Sequence, residues 1–76
     1  MTPRLPALSS RQVLTALRRA GWHEHHTVGS HCQLRHPGRA EGRVTVPMHA
    51  RDVKRGTLMS ILRQAHLTIE EFLELL

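Results

Sequence analysis

The chain holds two aromatic side chains, Trp22 and Phe72, and no tyrosine among its 76 residues. Recognition of bases by stacking depends on exposed rings. Their scarcity argues against a stacking platform and for contact with a backbone or groove. There is one cysteine, Cys32, so no disulfide forms within the chain, which fits a reducing compartment. No apolar run approaches the ~20 residues of a membrane-spanning helix. The opening Met1-Thr2-Pro3-Arg4-Leu5-Pro6 lacks the apolar stretch of a secretory signal. These absences predict a cytoplasmic protein with no membrane partner. The length leaves room for one domain, spanning 1–76. A chain of this size buries only about 60% of its unfolded surface. A deep enzyme pocket is therefore not expected, and a substrate would be met on an open surface.

Acidic residues are scarce and badly distributed. Residues 1–66 carry ten arginines and Lys54 against Glu24, Glu41 and Asp52, whereas Glu70, Glu71 and Glu74 crowd the last ten residues. The formal net charge is +5. The basic part predicts contact with phosphate.

Pro3 and Pro6 keep the N-terminus extended. Ser9 with Gln12 forms a capping box, with Leu8 and Val13 placed as its hydrophobic staple. Val13, Leu14, Leu17 and Ala20 then recur at helical spacing, and Gly21 ends the helix. Residues 22–28 read as a strand with poor alternation, because Glu24 and His26 share the parity of Trp22 and Val28. Residues 31–36 alternate better, with Cys32 and Leu34 on one side and His31, Gln33 and Arg35 on the other. Pro37-Gly38 starts a loop expected to run to Gly42. Val44 and Val46 mark a third strand over 43–47. A basic loop over 48–56 precedes a helix with Thr57 as its expected cap and Leu58, Ile61, Leu62 and Ala65 as its apolar stripe. Thr68 with Glu71 caps a short last helix. The order predicts an α+β fold, α-β-β-β-α with a three-stranded antiparallel sheet and helices on one face. That is the order of a double-stranded-RNA-binding-type fold.

The sharpest candidate for chemistry is Gly29-Ser30-His31. Glycine supplies the positive φ of a tight turn, and the strand after it starts at a fixed point. Histidine is the side chain that exchanges a proton most readily near neutral pH. In a basic protein that combination points to proton transfer on a polyanion, with RNA the leading candidate. RNA carries its own nucleophile, the 2′-hydroxyl. Internal attack needs a proton removed there, a proton delivered to the leaving 5′-oxygen, and cations for the charge at phosphorus. His31 suits either proton role. Arg35, Arg51, Lys54 and Arg55 are candidates for the cations. Ser30 could hydrogen-bond a phosphate, and His49 could be a second acid or base or a phosphate contact. The bland alternative makes His31 a polar strand residue that only supports the turn.

Two other features carry less. His23-Glu24-His25-His26 offers two imidazoles on one face of a regular strand, His23 and His25, which do not close a metal site. No metal and no cofactor are expected. Cys32 adjoins His31, but neighbours on a strand point to opposite faces, so Cys32 reads as buried and structural.

Beyond this, Leu5-Pro6, Val13-Leu14 through Ala20-Gly21-Trp22, Gly29-Ser30-His31, Thr45-Val46-Pro47-Met48-His49 and Gly56-Thr57-Leu58 through Ile61-Leu62 to Ala65 together resemble the HicA family of toxins. The resemblance runs from about Leu5 to Phe72. It implies an mRNA interferase of a type II toxin–antitoxin pair, with a double-stranded-RNA-binding-like fold, neutralised by a HicB-like antitoxin. It also implies that His31 is the catalytic histidine. One departure is His66, where the family usually has glycine. Two readings from other classes stand beside the nuclease. One is a non-catalytic RNA-binding module of the same fold. The other is an interaction protein whose partner is acidic.

Overall fold

The computed structural model describes residues 4–49 and 51–76. Pro3 therefore lies outside the described residues, while Pro6 sits in irregular chain as its ring requires. Helix α1 spans Ser10–Arg19 and begins at the expected capping box. The Ser9 hydroxyl accepts the Gln12 N–H at 3.2 Å, and Gln12 Oε1 accepts the Ser9 N–H at 2.9 Å. Leu8 and Val13, on either side of the cap, are both buried. Gly21 stops the helix with φ +96. A Cβ at Gly21 would also lie 2.6 Å from Nε2 of His36. The position thus excludes other residues twice, by backbone and by space.

The strands are β1 (His23–Val28), β2 (His31–His36) and β3 (Arg39–Pro47), antiparallel in the order β1-β2-β3. Cys32 pairs with Val46 and Leu34 with Val44, and all four are buried. They meet Val13, Leu14 and Leu17 of α1, Leu58, Ile61, Leu62 and Ala65 of α2 (Arg55–Ala65), and Phe72 of α3 (Ile69–Glu74) in one core cluster. The helices cover one face of the sheet and leave the other open. This is the α+β order that the sequence predicts, including the short C-terminal helix.

Three local expectations are corrected. Strand β3 starts at Arg39, not at 43, because His36 pairs with Arg39 across Pro37-Gly38. The surplus residues before Val44 are taken up by a shift of register between Leu34 and His36. In β1 a bulge lies between Glu24 and His26, so His23 pairs with Arg35 and His26 with Gln33. His23 and His26 therefore share a face, and plain alternation over the segment fails. Thr57 caps nothing: α2 begins at Arg55, with Lys54 as an N-cap that makes no side-chain bond. Gly56 in the first turn costs less than about 1 kcal/mol, which burial of the Leu58 stripe offsets. Trp22 is 1% exposed. Its ring meets His36 edge-on, with centroids 5.2 Å apart.

The Gly38 N–H donates to Nδ1 of His36 at 2.9 Å, which leaves Nε2 to donate to the Ala20 carbonyl at 3.0 Å. In α3, Thr68 and Glu71 close the second capping box. The backbone N–H of Thr68, then its hydroxyl, hold the exposed Glu71 carboxyl below its ordinary pKa.

His66 caps α2 in the left-handed region, φ 57 and ψ 39. A side chain costs about 1–2 kcal/mol there, and glycine does not bear that strain. We expect His66→Gly to stabilise the fold by about 0.5–1 kcal/mol, a rise of several degrees in Tm. Thermal unfolding followed by circular dichroism checks this. A lower Tm would mean that the His66 side chain makes interactions outweighing its strain.

Candidate functional site

His31 is the first residue of β2, set by the two-residue turn Gly29-Ser30. Gly29 has φ +58, and nothing lies within 4 Å of where its Cβ would be. The turn needs glycine for its backbone, not for space. Pairing then holds His31 from both sides, against Val28 and Pro47. The Met48 N–H donates to the Ser30 carbonyl at 2.5 Å and ties the turn to the end of β3. Ser10, 3% exposed, donates its hydroxyl to the Pro47 carbonyl at 2.7 Å and accepts the His49 N–H at 3.4 Å. The first turn of α1 thereby pins the chain that carries His49. Sequence reasoning missed Ser10, because a serine at a helix start looks ordinary.

The imidazole of His31 is exposed, while Cys32 beside it is buried on the helix side. The two groups lie on opposite faces, as strand alternation requires. His31, Thr45 and Pro47 of the sheet line an open groove of about 460 Å³ whose other wall is Gly56, Thr57, Ser60, Ile61 and Gln64 of α2. Gln64 builds this wall. Its Oε1 accepts the Thr45 N–H at 2.9 Å at the outer edge of β3, and its Nε2 donates to Ser60 Oγ at 3.2 Å. Thr57, Ser60 and Gln64 were not among the expected site residues. The one available signal is that they sit off the apolar stripe of α2, which says nothing of what they face.

Pro47 and Thr57 also line a second hollow, with His49, Arg51, Asp52, Val53 and Lys54. The groove of His31 and the basic loop are thus continuous. Arg55 is exposed at the start of α2. There the uncapped backbone N–H groups add positive potential to that of Lys54. Ser30 is exposed at the turn. Arg35 is apart from these. It lies on the same open face four residues along β2, roughly 13 Å away at strand rise, and is half-buried. Among the described residues, no group of three His, Cys, Asp or Glu side chains is placed to hold a metal ion. None of the helices described is long and apolar enough to cross a membrane.

Fold and groove define a small basic α+β protein, one helix, three antiparallel strands and two further helices, with an exposed histidine at a hairpin edge beside a cationic loop. Residues 10–67 match the family described as HicA toxin of bacterial toxin–antitoxin. That is more than half of the chain, and the chain belongs to the HicA toxin family. It is the toxin of a toxin–antitoxin pair, and its partner is an antitoxin. A comparison with curated proteins finds no match.

Proposed function

We propose that this chain is a metal-independent endoribonuclease that cleaves mRNA through His31, as one HicA-like domain over 1–76. The observation that carries the reading is the exposed imidazole, held by pairing on both sides, in a groove that runs into the basic loop. RNA lies with its phosphate between His31 and the cations of that loop. His31 takes the proton of the attacking 2′-hydroxyl or delivers one to the leaving 5′-oxygen, and water carries the other proton. As the 2′-oxygen bonds to phosphorus, the bond to the 5′-oxygen breaks. The products are a 2′,3′-cyclic phosphate and a 5′-hydroxyl. Arg51, Lys54 and Arg55 stabilise the charge at phosphorus, Ser30 donates to a phosphate oxygen, and His49 supports the phosphate from the adjoining hollow.

The test is an RNA cleavage assay with the purified chain in excess chelator. Cleavage to cyclic-phosphate ends should continue at an unchanged rate. Activity lost in chelator and restored by zinc or magnesium would overturn the metal-independent mechanism. Purified folded protein that binds RNA without cutting it would favour the RNA-binding module instead.

The antitoxin in this reading is HicB-like and silences the toxin by covering the His31 groove and the Arg51–Arg55 loop. Charge complementarity speeds such an encounter, and exclusion of the phosphate blocks catalysis. Binding should also raise the Tm of the toxin by mass action. Hydrogen exchange of the complex is expected to show protection over residues 29–35 and 49–55. Protection confined to the helices would exclude direct occlusion.

A further inference from the structure

We propose that the open face of the sheet is a binding track for single-stranded RNA, leading from His31 along β2 to Arg35 and flanked by His23 and His26. The inference rests on the ribonuclease reading above and extends it beyond the groove. Its origin is the bulge in β1. Cross-strand partners point to the same side of a sheet. His23 pairs with Arg35, His26 with Gln33 and Val28 with His31, so His23, His26 and Val28 all stand on the open face. Without the bulge, His23 and His26 would lie on opposite faces. The same bulge turns Glu24 to the helix side, where it pairs with Leu34 in register and forms an ion pair with Arg18 of α1. Glu24 is thereby removed from the open face and paired behind it.

What remains at these positions are donors and cations. Neutral imidazoles each keep one N–H to donate, so His23 and His26 need not be charged to bind phosphate. Arg43 shares the face with Thr45 by alternation and is exposed, so it adds a second guanidinium to that side of the sheet. Arg35 is half-sunk in the face, and its Nε is covered with no hydrogen-bond partner. A phosphate lying on this face would reach the outer N–H groups of that guanidinium and accept charge-assisted hydrogen bonds from them. Val28, 56% exposed beside His31, offers an apolar patch for a ribose or base where no aromatic ring is available. The run of roughly 13 Å from His31 to Arg35 equals about four nucleotide steps at duplex rise, and fewer for an extended strand. The ligand is therefore a strand of several nucleotides, with its scissile phosphate at His31.

The test measures affinity for a randomised 12-nucleotide RNA in the His31→Ala background, so that the RNA stays intact. Arg35→Gln should weaken binding by roughly tenfold, the effect of removing one charge-assisted hydrogen bond to phosphate. It should also reduce the slope of log affinity against log salt by about one. The His23→Ala/His26→Ala double variant, altered only at exposed positions, should weaken binding several-fold with an unchanged Tm. Arg63→Ala, an exposed cation of α2 away from this face, should leave affinity unchanged. Three results would overturn the track. In one, Arg35→Gln and the histidine double variant bind RNA like the parent. In another, Arg63→Ala weakens binding as much as they do. Loss of antitoxin binding without loss of RNA binding in the face variants would assign the surface to the antitoxin and likewise overturn it. Cleavage by the wild-type chain is read separately. If it cuts while the face variants bind normally, the track fails and the nuclease stands. If it does not cut while the variants lose affinity, the nuclease fails and the track stands.

Discussion

Replacing His31 by alanine should lower RNA cleavage by about 10²–10⁴-fold, the range of a single general acid or base, and should abolish growth arrest on expression. The groove of His31 contains no second imidazole, since His49 belongs to the adjoining hollow behind Pro47 and Thr57. The fold should survive, because the side chain is exposed and the strand is held by backbone pairing with Val28 and Pro47. Circular dichroism and single-turnover cleavage of the same preparation measure both effects. A folded His31→Ala protein that cuts RNA at the wild-type rate would overturn the assignment of His31.

Replacing Trp22 by alanine should destabilise the chain by about 3–5 kcal/mol, as removal of a large core ring does. A domain of this size has on the order of 5–10 kcal/mol to lose. Trp22 is among the largest fully buried side chains, and its ring supports His36, which in turn holds the Ala20 carbonyl and the Gly38 N–H. Truncation therefore loosens the end of α1 and the β2–β3 turn together. Chemical denaturation gives the stability change. Trp22→Phe should retain the fold and leave RNA affinity unchanged, because the ring does not face solvent. Unchanged stability in Trp22→Ala with loss of RNA affinity would mean that the ring stacks on bases after all.

Legibility in the sequence follows the range of the interaction. Both capping boxes, the Gly21 stop and the Gly29-Ser30 turn form within a few residues, and their side chains announce them. The buried stripes of α1 and α2 and the burial of Cys32 and Leu34 are equally readable, since apolar periodicity records which side faces the core. Thr57 misled because glycine before threonine imitates a helix start. The start at Arg55 depends on how the Leu58 stripe docks, which no local signal contains. Trp22 stands between a helix stop and a weak strand, and nothing nearby in the chain shows that His36, fourteen positions on, will cover its ring.

The sequence by itself determined the order of elements, the polar side of β2 on which His31 stands, and the basic charge that surrounds it. Each of these follows from one residue or from a period along the chain. Only the tertiary structure decided that Thr57, Ser60 and Gln64 would wall the groove of His31, because that wall exists through a bond from the Thr45 backbone to a helix nineteen residues away. It alone decided that His23 and His26 share the open face with Arg35. A bulge is a mismatch between two paired strands, and neither strand contains it alone.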